Sequence, residues 1–158
     1  MPFDAGVTAA VARELNEKFE GGRIEKIFMP ERDVLILGVH PRGGSSQRIL
    51  IDASASGSRI CVTNADYENP KVPPMLCMLL RKYLTGARIV SVSAPVFDRV
   101  VVIRFETRDT MGFSGEKLLV AETMGRYGNL IFCDGEGKVL AAVRTSDITS
   151  GELRPIYP

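Results

Sequence analysis

The chain reads as an α+β unit, an antiparallel β-sandwich or partly closed barrel of about nine strands with two helices. Three observations lead there. Two segments carry apolar residues at helical spacing and end in helix-stopping residues. The other apolar runs are short and rich in Val and Ile, as strands are. The connectors "PER", "PRGGSS" and "SASG" are so short that the strands they join must run antiparallel. With 158 residues, 45% of them hydrophobic and 25% charged, there is material for one packed core and a single domain over 1–158.

The first helix is expected over about residues 5–20. Asp4 can cap it, Val7, Val11, Leu15 and Phe19 recur every fourth position, and Gly21-Gly22 stops it. Strands follow at 23–29, 33–40, 47–53 and 58–64, each bounded by turn residues. "YENPKVPP" is a Pro-rich connector whose Pro73-Pro74 suits a helix entry. "MLCMLLRKYLTG" then reads as a second helix, apolar nearly all round and expected to be sandwiched in the core. Five more strands are read at 87–94, 98–108, 116–124, 129–134 and 138–145. "DGEG" at 134–137 is a hairpin turn, "DTMGFSG" a longer loop, and there is no internal repeat. The ending "LRPIYP" resembles a severed linker, so the chain is expected to be an excised piece of a longer protein.

Composition excludes several classes. The first residues lack a basic region followed by an apolar one, and no apolar run approaches the roughly 20 residues that span a bilayer, so a cytoplasmic protein without membrane contact is expected. Cys61, Cys77 and Cys133 are far apart and His40 is the one imidazole, which suggests neither disulfides nor zinc. A net charge of +1 rules out a general basic coat for nucleic acid; anion binding must come from local clustering.

Four places invite a functional reading. Asp98 and Arg99 are adjacent opposite charges at the mouth of a strand. In an extended strand their side chains would leave opposite faces, so a turn after Pro95 is expected, with the Asp held by backbone N–H groups and the Arg projecting from the rim. The pair is either a recognition fork for RNA or a turn cap beside a surface arginine. "ETMGRYGN" (122–129) sets Arg126 and Tyr127 between glycines, which suits close approach to an anion or an ordinary β-corner. Arg81 and Lys82 near the end of the second helix either face a ligand or complement the helix dipole. Pro2 could supply a secondary amine for lyase chemistry on abasic nucleic acid, but the DNA-repair lyases that use one place a Glu after it, where this chain has Phe3. No His-assisted nucleophile, P-loop or metal-spaced carboxylate cluster is present, so binding rather than catalysis, without a cofactor, is expected.

The blocks "FDAGVTAAVARELNEKFEGGRIEKIFMP", "YENPKVPPMLCMLLRKYLTGARI", "FDRVVVIRF" and "ETMGRYGNLIF" together resemble the amino-terminal domain of the NFACT family, the RqcH or fibronectin-binding protein A family of bacteria. The resemblance runs from about Phe3 to Pro158. It implies a fold akin to the amino-terminal domain of formamidopyrimidine-type DNA glycosylases, used to hold RNA. It also implies binding to large ribosomal subunits that carry a stalled peptidyl-tRNA, and recruitment of tRNA for untemplated alanine tailing in ribosome-associated quality control. The family's Asp-Arg pair matches Asp98 and Arg99, and the Glu and Arg of its E-x-M-G-R block match Glu122 and Arg126. Arg81 and Lys82 complete the expected RNA-binding set. Fibronectin enters as a partner through the family's older name alone.

Overall fold

The computed structural model describes residues 4–95, 98–108, 111–123 and 128–144. Helix α1 (Ala5–Phe19) starts where expected, because an Asp4 side-chain oxygen accepts the Val7 N–H at 2.8 Å. Its buried stripe is Thr8, Ala12, Leu15 and Phe19, turned slightly from the expected one, so that Val7 and Val11 are only half-buried. Thr8 can face inward because its hydroxyl donates to the Asp4 carbonyl at 2.6 Å. Gly21 turns the chain at φ +81°, and at Gly22 a Cβ would lie 2.9 Å from the Phe19 carbonyl oxygen and from Val39 Cγ1.

Four strands follow as a meander: β1 (Arg23–Glu31), β2 (Val34–His40), β3 (Gln47–Asp52) and β4 (Arg59–Thr63). β1 runs past its expected end through Pro30, which the ladder tolerates because the pairing with β2 is irregular between Phe28 and Glu31. Helix α2 (Met75–Leu84) then crosses to a second meander of β5 (Arg88–Ser93), β6 (Val100–Arg108), β7 (Ser114–Glu122), β8 (Asn129–Asp134) and β9 (Val139–Ala142). β7 begins two residues earlier than expected, at Ser114.

The nine strands form one antiparallel sheet in the order β4-β3-β2-β1-β5-β6-β7-β8-β9, rather than two separate sheets. The meanders meet where β1 and β5 touch at their first residues, through Ile24 N–H to the Ala87 carbonyl and Ile89 N–H to the Gly22 carbonyl, both 2.8 Å. One apolar cluster joins both halves, with Ile49 and Ile51 from one, Leu130 and Phe132 from the other, and Leu15, Phe19 and Leu80 from the helices. Arg144 brings the far ends together: it pairs with Asp33 at 3.5 Å and donates to the Ala53 carbonyl at 3.4 Å. A curled, partly closed sheet around a shared core therefore replaces the sandwich alternative.

Helix α2 departs from expectation. It buries only the stripe Leu76, Cys77, Leu80 and Leu84, while Met75, Met78 and Tyr83 are exposed. Its apolar residues outnumber the surface available to bury them, because β1 and β6 cover one side only. No helix among the described residues is long and apolar enough to cross a membrane.

Candidate nucleic-acid interface

Asp98 and Arg99 lie in the bend that precedes β6, and β6 itself begins at Val100. Neither is bound to the alternation of a strand, which removes the conflict of adjacent opposite charges. The Asp98 carboxylate accepts the N–H of the next residue, Arg99, at 2.7 Å. The Arg99 carbonyl is held twice by Thr123, through its N–H at 2.9 Å and its hydroxyl at 3.2 Å. Thr123 is fully buried, so the Arg99 backbone is fastened to the wall while both charged side chains are exposed. Among the described residues nothing takes the Arg99 guanidinium, which leaves its five N–H donors for a ligand.

Glu122 stands opposite Val100 in the ladder and is 2% exposed. Its register sets it on the same face of the sheet as Val100, Val120 and Ile131, the smaller apolar cluster, and it is buried there rather than exposed beside Asp98 and Arg99. Asn129, opposite Glu122 on β8, is a third buried polar group here, beside Glu122 and Thr123. Its amide donates to the Arg144 carbonyl at 2.8 Å and its oxygen accepts the Arg144 N–H at 2.9 Å, fastening the end of the sheet. No buried side-chain polar atom among the described residues lacks a partner, so this corner is built rigidly. Arg126 and Tyr127 lie outside the described residues, as does Pro2.

The two helix residues separate from this site. Arg81 is half-buried, donates from Nε to the Ile27 carbonyl at 2.8 Å and lies 5.8 Å from the Phe28 ring centroid, so it fastens α2 to β1. Lys82 is exposed, 5.3 Å from the Tyr83 ring centroid, and lines a recess together with Arg108, at the opposite end of β6 from Asp98. The strand between them is about 26 Å long at about 3.3 Å per residue. The structure thus brings Asp98, Arg99 and Glu122 into one corner and leaves Arg81 and Lys82 elsewhere.

Sequence reading missed the cluster on β1–β3, where Ser46 Oγ donates to Glu25 at 2.6 Å and lies 3.2 Å from His40 Nδ1. It resembles a catalytic relay only in composition. A relay holds the carboxylate on the ring nitrogen that does not face the hydroxyl, whereas here Glu25 approaches the same Nδ1, at 3.5 Å, in an open surface position. No signal in a single sequence would have joined residues 25, 40 and 46. No group of residues suited to a metal ion occurs among the described residues.

Residues 4–158 match the family model for NFACT N-terminal and middle domains. The chain is 38% identical over 159 aligned residues to the Rqc2 homolog RqcH of Bacillus subtilis (strain 168), covering 100% of this chain and 28% of that protein. It is 39% identical over 138 residues to the archaeal Rqc2 homolog aRqcH of Methanocaldococcus jannaschii, covering 85% of this chain and 19% of that protein. The N-terminal domain of the fibronectin-binding protein PavA from Streptococcus pneumoniae superposes with a TM-score of 0.89 at 30% identity, covering 99% of this chain and 59% of that one. The chain therefore spans under a third of the length of these curated relatives.

Proposed function

The chain belongs to the NFACT family, and from that premise we propose that it is the RNA-binding domain of a ribosome-associated quality control factor. On this reading it acts without a cofactor or catalysis of its own, in the cytoplasm, on obstructed large ribosomal subunits. It recruits tRNA there so that alanine can be added to a stalled nascent chain. The observation that carries the reading is the exposed Asp98-Arg99 pair on a bend fastened by Thr123. A guanidinium fork suits a phosphate or a guanine edge, and an adjacent carboxylate accepts from a base amine or a ribose hydroxyl. Arg126 joins the proposed site through the match of the E-x-M-G-R block in the sequence. Being small, the contact is expected to be weak and sensitive to salt.

Filter binding of tRNA in a salt series tests this, with the parent compared against Arg99→Ala. The variant is expected to bind several-fold more weakly while melting at the parent temperature. Equal binding by the two would remove the reading. A second reading draws on the name of the PavA neighbour: fibronectin as partner, checked by surface plasmon resonance on immobilised fibronectin. Lyase chemistry through Pro2 is the third, and a covalent adduct after borohydride treatment with an abasic oligonucleotide would establish it.

A further inference from the structure

Where β1 and β5 begin, β6 ends and α2 makes its last turn, the surface holds a recess of about 410 Å³. Its lining includes Arg23, Lys82, Tyr83, Arg88, Glu106 and Arg108. Four cations thus face one carboxylate, in a chain whose net charge is only +1. Positive charge is concentrated here and offset elsewhere.

The arrangement is not explained by folding. Arg23 and Arg88 are directly opposed in the ladder, and like charges so placed are destabilising. Lys82 can complement the α2 dipole, but Arg23, Arg88 and Arg108 come from strand ends, where no such dipole acts. Among the described residues, Arg23, Lys82, Arg88 and Arg108 take part in no ion pair, although Arg88 stands opposite Glu106. Three guanidiniums and an ammonium are therefore left with their donors turned to solvent.

We propose that this recess is a second anion site, taking backbone phosphates of an RNA whose other part meets the Asp98-Arg99 corner. The proposal rests on the RNA-binding reading above and extends it to the opposite end of β6. A phosphodiester backbone fits better than a small phosphorylated molecule because all four cations are exposed. An exposed charge is screened, so such groups act in number and on a ligand that repeats its charge. Arginine forks suit phosphate oxygens, and three of the four are arginines. Tyr83, with Lys82 at 5.3 Å and Lys117 at 5.6 Å from its ring centroid, carries further positive charge along the lip toward β7.

The test is fluorescence anisotropy of labelled bulk tRNA with this chain, in a salt series, for the parent, the double variant Arg23→Ala/Arg88→Ala, Arg108→Ala, Glu106→Gln and Arg99→Ala. Loss of two phosphate contacts should reduce the slope of log K against log salt by about 1.5 and raise Kd several-fold. Arg108→Ala should give about half that change in slope, should the double variant fold poorly by circular dichroism. Glu106→Gln, which removes the one carboxylate, should tighten binding about twofold, a gain that damage to the fold cannot produce. Unchanged slopes in the recess variants beside a weakened Arg99→Ala would overturn the second site and leave the first standing. Unchanged binding in every variant would remove both. Displacement of the tRNA by poly-glutamate as readily as by poly-uridine would overturn the assignment to RNA.

Discussion

Thr123→Val separates the bend from the charges it carries. Valine keeps the shape of the fully buried Thr123 and deletes one group, the hydroxyl that donates to the Arg99 carbonyl at 3.2 Å. That carbonyl retains the Thr123 N–H at 2.9 Å, so no acceptor is orphaned and the loss is that of a single neutral hydrogen bond, about 1 kcal/mol. For a domain of this size the melting temperature should fall by about 2–4 °C. If the bond serves only to hold the bend, the same 1 kcal/mol limits the weakening of tRNA binding to about fivefold. Thr123→Ser, which restores the donor, should recover most of the affinity although it loses a methyl group. The assays are thermal circular dichroism and anisotropy with tRNA on the three proteins in parallel. Parent-like affinity in Thr123→Val, or a failure of Thr123→Ser to recover any of a loss, would refute the idea that the bend presents Arg99.

Two further outcomes follow from buried groups. Asn129→Ala removes both bonds to the Arg144 backbone and leaves its carbonyl and N–H without them; a loss of about 2–4 kcal/mol is expected, a melting point lower by roughly 5–12 °C, and a drop under 2 °C would contradict the fastening role. Burial, with Asp134 adding to it, pushes the Cys133 thiol up from an ordinary value of 9.0 to about 11. The folded state then holds this proton more tightly than the unfolded one, so the contribution is fully present below about pH 9 and is lost between about pH 9 and 11, to the extent of about 2–3 kcal/mol. Denaturant titrations across that window should show the parent losing more stability than Cys133→Ala; identical pH slopes would count against it.

Elements were legible from sequence wherever local chemistry specifies them. Asp4 and the Gly21-Gly22 stop bound α1 in the chain as in the structure, and strand segments with short turns kept their places because a meander needs only neighbours in sequence. The bend at Asp98-Arg99 was also readable, since adjacent opposite charges are incompatible with one face of a strand. Its two charges could be paired by eye because they are consecutive.

What sequence alone determined, then, is local: which residues form helix or strand, where the chain turns, and which charges sit side by side. Tertiary structure decided everything that depends on register across distant strands. It joined the two meanders through the start of β1 and β5, drew Arg144 onto Asp33 and Ala53, buried Glu122, and moved Lys82 away from the bend. It also gathered Arg23, Arg88 and Arg108, each at the end of a different strand, into one recess. The reason is physical: a one-residue change of register turns a side chain from core to solvent, and the register between strands far apart in sequence is set by the packing of the shared core, which no short segment contains.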